Sequence, residues 1–244
     1  MKRLNIKLEC FESLDSTNEY CKRLAAKGAP EGTLVIANTQ TGGKGRMGRS
    51  FYSPPGLGVY MSLLLRPDCK ADGTQSLTAF TAVAVCRAIE KLTELTPEIK
   101  WVNDILLGGK KLCGILCESA VSENGVVYAV IGIGLNVITR AEDFPPSLRD
   151  TAGSVYSQSG KIVERGKLIS AVISELDAMY DAWCADKTSY LEDYRSRCRM
   201  VGTYVSVGGR DAIVEGIEPD FGLRVRFLGG ESEVLFSGEV SLKE

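Results

Sequence analysis

Lys44, Arg46 and Arg49 are interleaved with Gly43, Gly45 and Gly48 in the segment GGKGRMGRS. Glycines let backbone amides approach an anion, and ammonium and guanidinium groups neutralise it, so the segment suits a phosphate or a carboxylate. The same residues spell G-x-G-x-x-G and nearly spell the phosphate loop G-x-x-x-x-G-K-S, with Arg49 in the lysine place. Both motifs require a helix to follow. Here Phe51-Tyr52-Ser53 leads into Pro54-Pro55-Gly56, which forbids that helix, so the dinucleotide and P-loop readings are rejected. Taken alone, the segment reads equally well as a solvated cationic turn between two strands.

Two further groups weigh against that bland reading. Lys100-Trp101-Val102-Asn103-Asp104 ends a strand with a cation, an amide and a carboxylate, and Lys110-Lys111 opens the next. Gly132-Ile133-Gly134-Leu135-Asn136 sets an amide into an apolar strand beside glycines that permit close backbone approach. Turn formation, a hairpin end and strand termination explain each group singly; their joint occurrence favours a site. The 244-residue chain contains no histidine, which excludes Ser-His-Asp and Cys-His catalysis and imidazole metal sites. A net charge of −2 argues against duplex nucleic acid as the main partner and makes any anion binding local. The eight cysteines form no C-x-x-C pair and read as reduced core residues. With no signal peptide and no apolar run of membrane-spanning length, a cytoplasmic location is expected.

The elements that must position these groups follow from pattern. Ser16-Thr17-Asn18-Glu19 fits a capping box that opens a helix to about Gly28. Thr33 to Asn38 and Leu57 to Leu65 read as buried strands, with the glycine loop between them. A helical stripe from Thr74 to Leu95 predicts the long core helix, and Glu98 to Val137 predicts strands with an Asn124-Gly125 hairpin turn. Residues 138–159 are polar, weakly periodic and expected to form a mobile loop. Helical spacing resumes from Leu168 to Trp183 and near Ser189 to Arg197. From about Val201 short alternating strands predict a small β-barrel, too small to stand alone and expected to dock on the rest. The expected division is 1–197 and 198–244.

LDSTNEY, TQTGGKGRMGR, KWVND, GKKLCGIL and GIGLNV, in that order, resemble the biotin protein ligases (biotin–acetyl-CoA-carboxylase ligases) over roughly residues 11 to 137. The resemblance implies an α+β fold: a mixed sheet with flanking helices, related to class II aminoacyl-tRNA synthetases and lipoate ligases, followed by a small C-terminal SH3-like β-barrel. It implies that Ser16, Thr17, Asn18 and Gln40 hold the ureido end of biotin, with Lys44, Gly45, Arg46, Lys111 and Gly114 also in the biotin site. Gly43, Arg46, Arg49, Asn103, Asp104, Lys111 and Asn136 would serve ATP, Arg46 and Lys111 would be catalytic, and Asp104 would face Mg²⁺. Two positions depart from the family pattern: Lys44 where arginine is more common, which turns a bidentate contact into a point charge, and Val102 where proline is common.

The implied activity is ATP-dependent formation of biotinyl-5′-AMP, then transfer of biotin to a lysine of a biotin carboxyl carrier protein or domain. A lipoate-type ligase and a non-catalytic biotin-binding protein are the alternatives. Some members carry an N-terminal winged helix-turn-helix; with the STN motif at Ser16, a ligase without operator binding is expected, with no DNA or membrane partner. A homodimer through a sheet edge or a helix is compatible with the chain.

Overall fold

The computed structural model describes residues 4–70 and 74–242. Its first sheet has seven strands, β1 (Lys7–Leu14), β2 (Thr33–Gln40), β3 (Gly58–Leu65), β4 (Glu98–Lys100), β5 (Asp104–Leu107), β6 (Lys110–Ser122) and β7 (Gly125–Asn136), in the order β1-β2-β3-β7-β6-β5-β4. Only β1 and β2 run parallel; every other neighbouring pair is antiparallel, so the sheet is mixed. The turn between β5 and β6 is Gly108-Gly109, both at positive φ, as a two-residue hairpin turn requires. The Trp101–Val102 peptide is cis.

Helices cover both faces. α1 (Thr17–Ala26) packs on one face, where Cys21 and Ala25 meet Val35, Leu64 and Val130. α2 (Thr74–Thr93) lies on the other, buried almost all round between the sheet and α4 (Arg165–Ala185), as its near-continuous apolar sequence demands. The period of two is explicit in β3: Val59, Met61, Leu63 and Leu65 belong to the α2 side, and Leu64 to the α1 side. All eight residues of β3 are buried, including Ser62 on the α1 side.

The expected mobile loop at 138–159 is instead fastened to the core. It holds two short 3₁₀ turns and a short helix, α3 (Val155–Ser159), with Phe144, Ser154 and Val155 buried. Its weak periodicity reflects anchoring at single points: the Ser154 hydroxyl donates to the Thr139 carbonyl at 2.6 Å, and Lys111 N donates to the Thr151 carbonyl at 2.8 Å. The capping box at α1 forms only in half. Ser16 Oγ accepts from Glu19 N, but the Glu19 carboxylate turns to Lys22 and Lys44 because two cations outcompete one amide. All eight cysteines are free, yet Cys10 is exposed on β1. Burial pushes the Cys21, Cys86 and Cys117 thiols up to about 12, as befits packing residues.

After α5 (Leu191–Arg197), the strands β8 (Tyr204–Val207), β9 (Arg210–Ile217), β10 (Leu223–Phe227), β11 (Ser232–Leu235) and β12 (Val240–Leu242) form an antiparallel sheet in the order β11-β10-β9-β8-β12, fitting an SH3-like unit. It shares the main hydrophobic core: Val205, Val214, Leu223 and Val225 belong to the same cluster as Leu77 and Ile131. The junction centres on Phe221, which packs edge-on against Tyr194 at 5.6 Å while its carbonyl accepts from Trp101 Nε1 at 2.9 Å. Phe221→Ala should therefore cost about 3–5 kcal/mol. Urea unfolding followed by fluorescence should show that loss in a single transition shared by both sheets; two separated transitions in the wild type would contradict a common core.

Candidate functional site

The register of the first sheet sets the floor of a cavity of about 510 Å³. On the α1 face, Ser62 of β3 stands beside Gly132 of β7, and Gly132 beside Leu116 of β6. In the next row Tyr60, Gly134, Gly114 and Asp104 are cross-strand neighbours on four strands. The glycines leave room for side chains arriving from above the sheet. A Cβ at Gly132 would lie 2.1 Å from Asn18 Oδ1, one at Gly134 would lie 2.6 Å from the Phe51 ring, and one at Gly114 would press on the Lys111 ammonium at 3.3 Å.

One end of the cavity is polar and neutral. Thr17 N donates to Gln40 Oε1 at 2.8 Å, Gln40 Nε2 donates to Ser53 Oγ at 3.0 Å, and Ser62 Oγ donates to Asn18 Oδ1 at 2.6 Å. Ser16, Thr17 and Asn18 are all buried, since the helix start that Ser16 caps is turned into the cavity. The other end is charged. The Lys111 ammonium pairs with Asp104 at 2.7 Å, and Arg46 Nη1 donates to Asn103 Oδ1 at 3.2 Å. Asn103 is itself fixed, because its Nδ2 donates to the Ile115 carbonyl at 2.9 Å. Burial lowers the Arg46 pKa, with the Asp104 charge opposing, and a guanidinium remains cationic under such a shift.

The glycine loop closes on itself: Gly45 N donates to the Arg49 carbonyl at 2.7 Å and Phe51 N to the Gly43 carbonyl at 2.9 Å. A short 3₁₀ turn at Arg46–Gly48, not a helix, follows the first glycines. The loop is held from two sides. Lys44 pairs with Glu19 at 2.5 Å, and hydrogen bonds from Lys22 and then Lys44 hold the Glu19 carboxyl below its ordinary range. Arg49 pairs with Glu239 at 2.5 Å, and Arg46 Nη2 reaches the Gly238 carbonyl at 3.4 Å, so the second sheet supplies part of the wall.

Ser16, Thr17, Asn18, Gln40, Lys44, Gly45, Arg46, Arg49, Asn103, Asp104, Lys111 and Gly114 all line this cavity. Gly43 and Asn136 are absent from its lining. Gly43 is buried beneath the loop, and the Asn136 side chain donates to the Gly153 carbonyl at 3.0 Å, fastening the 138–159 segment behind Lys111. The lining also contains Trp101 of the KWVND motif, to which the resemblance gives no role, and Phe51, Gly238 and Glu239, which lie outside the motifs; the one signal for Phe51 is its place after the loop. Among the described residues, no group of three or more Cys, Asp or Glu could hold a metal ion.

The model of the biotin/lipoate A/B protein ligase family matches residues 10–136, just over half of the chain. The chain belongs to this family. It is 44% identical over 167 residues to the bifunctional ligase/repressor BirA of Bacillus subtilis, covering 68% of the chain and 51% of that protein, so it spans about half the length of that relative. It is 30% identical over 244 residues to the biotin–acetyl-CoA-carboxylase ligase of Mycobacterium tuberculosis, covering 96% of the chain and 88% of that protein. In three dimensions it is similar to the biotin protein ligase of Aquifex aeolicus in complex with biotin and ATP, with a TM-score of 0.83, 28% identity, and coverage of 98% of this chain and 99% of that one. Both sheets therefore fall within a known biotin/lipoate ligase architecture.

The glycine floor makes a stability contrast. Gly132→Ala, which forces Asn18 aside, should lose about 1–3 kcal/mol. Gly166→Ala, on exposed helical backbone with nothing within 4 Å, should gain up to about 1 kcal/mol. Equal denaturation midpoints for the two variants would show that the close packing over Gly132 carries no energy.

Proposed function

We propose that this chain is a biotin protein ligase that joins biotin to ATP as biotinyl-5′-AMP and passes the biotinyl group to a lysine of a biotin carboxyl carrier protein or domain. The observation that carries the reading is that one cavity holds a neutral hydrogen-bonding end built on Thr17, Asn18 and Gln40 and a cationic end built on Arg46 and Lys111. A small carboxylic acid with a polar, uncharged head group matches that polarity, and the volume lies within the usual range for small-molecule sites.

In the first step the biotin carboxylate attacks the α-phosphorus of ATP and pyrophosphate leaves. Two anions must meet, so the residues' task is neutralisation and alignment. Arg46 and Lys111 lie where the carboxylate and the α-phosphate converge, with Lys44 and the loop amides closing over them. Arg49, Asn103 and Asp104 stand at the nucleotide end. In the second step the carrier's lysine amine attacks the mixed anhydride carbonyl, AMP leaves, and the amine proton passes to Asp104, the departing phosphate or solvent. No enzyme nucleophile is required, consistent with a chain that lacks histidine.

Magnesium fits this site as an ion carried by phosphates, because Asp104 is a single carboxylate already paired with Lys111. Asp104 would hold it, and when bound it would neutralise phosphate charge. Among the described residues no helix is long and apolar enough to cross a membrane.

Exchange of radiolabelled pyrophosphate into ATP tests the reading: exchange that depends on biotin and not on lipoate is expected. Lipoate-dependent exchange would identify the other branch of the family, and none with either acid would leave a binding protein. Within that assay Lys111→Ala should reduce the rate by about 10²–10³-fold, the usual cost of removing one preorganised stabilising donor. Arg46→Gly should open the loop and release biotinyl-5′-AMP, which mass spectrometry of bystander lysines would register. Normal synthesis without release would remove Arg46 from the closing role.

A further inference from the structure

The amide of Asn18 has two N–H donors and one oxygen, and the surrounding groups commit nearly all of them. Asn18 is 4% exposed. Its Nδ2 donates to the Leu116 carbonyl at 3.2 Å and to Glu118 Oε2 at 2.8 Å. Its Oδ1 accepts from Ser62 Oγ at 2.6 Å. Turned over, the amide would set its oxygen against a carbonyl and a carboxylate, neither of which can donate. Both donors are thus consumed and one lone pair of Oδ1 remains, on a residue that lines the cavity above the open face of Gly132.

Glu118 does not line the cavity. Its other oxygen, Oε1, accepts from Lys22 at 2.7 Å, and Lys22 also binds Glu19 at 2.7 Å. The carboxylate is therefore fixed at both oxygens; its direct contact with a cavity-lining residue is Asn18, while the Lys22–Glu19 relay ties it more remotely to Lys44.

We propose that Glu118 is a positioning residue that locks Asn18 as a hydrogen-bond acceptor, so that the cavity selects a head group offering N–H donors, a ureido ring, over one offering none, a dithiolane. The proposal rests on biotin being the substrate. Its physical basis is that a head group offering an N–H fills the remaining lone pair of Asn18 Oδ1, whereas one offering none leaves that buried acceptor with its Ser62 partner only and one hydrogen bond short.

Three variants test it by isothermal titration with biotin and by steady-state kinetics, with thermal unfolding as the check on the fold. Glu118→Gln conserves size but offers Asn18 a donor as well as an acceptor, so the amide is no longer held one way. The Kd and KM for biotin should rise about tenfold, with kcat and the KM for ATP within about twofold. Asn18→Asp should weaken biotin binding by about a hundredfold, since it faces Glu118 with a second carboxylate. Combining it with Glu118→Gln restores a donor opposite the new carboxylate, so the double variant should bind at least about tenfold more tightly than Asn18→Asp alone. A purely structural Glu118 predicts the reverse, a double variant no better than the single. Wild-type biotin affinity in Glu118→Gln, or no recovery in the double variant, overturns the role of Glu118. A wild-type protein that binds no biotin overturns the functional reading on which it stands.

Discussion

The site depends on a steric constraint: side chains can lie flat on the centre of a buried sheet only where that sheet has no Cβ atoms of its own. β6 and β7 pass through the middle of the sheet, where apolar side chains normally fill both faces. On one face Ile115, Ile131 and Ile133 do so, against α2. On the other, Gly114, Gly132 and Gly134 interrupt the packing, and Asn18, Phe51 and Lys111 occupy the space. Antiparallel register multiplies the effect, because Gly134 and Gly114 are direct partners and Gly132 abuts Ser62. One periodicity thus gives a solid core below the sheet and a concave chemical surface above it.

Charge is distributed over that surface with equal economy. Three of the cations facing the cavity are ion-paired, Lys111 with Asp104, Lys44 with Glu19 and Arg49 with Glu239, while Arg46 is held by the neutral Asn103 amide and Gly238 carbonyl. These pairs are partly exposed, so their net contribution to folding is small, on the order of 0–1 kcal/mol each. Their weight lies in placement, since each carboxylate holds a cation at the cavity wall at little energetic cost. An incoming polyanion replaces one partner for a cation by another, and most of the reorganisation has been done during folding.

Much of this was legible in the sequence. The two strands around the glycine loop, the long core helix, the Asn124-Gly125 hairpin and the run of short C-terminal strands follow from local pattern and turn chemistry. The loop cations and the Asn103-Asp104 and Lys111 pair were recognisable because they cluster within short segments or sit at strand ends. What stayed hidden is long-range. Glu118 meets Asn18 across a hundred residues, and Glu239 meets Arg49 across 190. Neither has a local signature, since an isolated glutamate reads as surface. Asn136 shows another limit: the position of its amide at the end of a glycine-rich strand is local, but its bond to the Gly153 carbonyl is not. Residues 138–159 have the pattern of a mobile loop because periodicity detects continuous faces and is blind to a segment pinned at Phe144 and Ser154.

Arg46 touches both halves of the chain, through Asn103 in the first sheet and the Gly238 carbonyl in the second. Proteins open in cooperative parts before they unfold as a whole, and a small antiparallel sheet at a chain's end is a natural candidate to open early. Any loosening of that sheet against the shared core would take the outer support of the loop with it. Because the two sheets share one hydrophobic core, that outer support is only as firm as the packing around Phe221 that joins them. A change on the far side of that unit, remote from the cavity, would be felt in the loop.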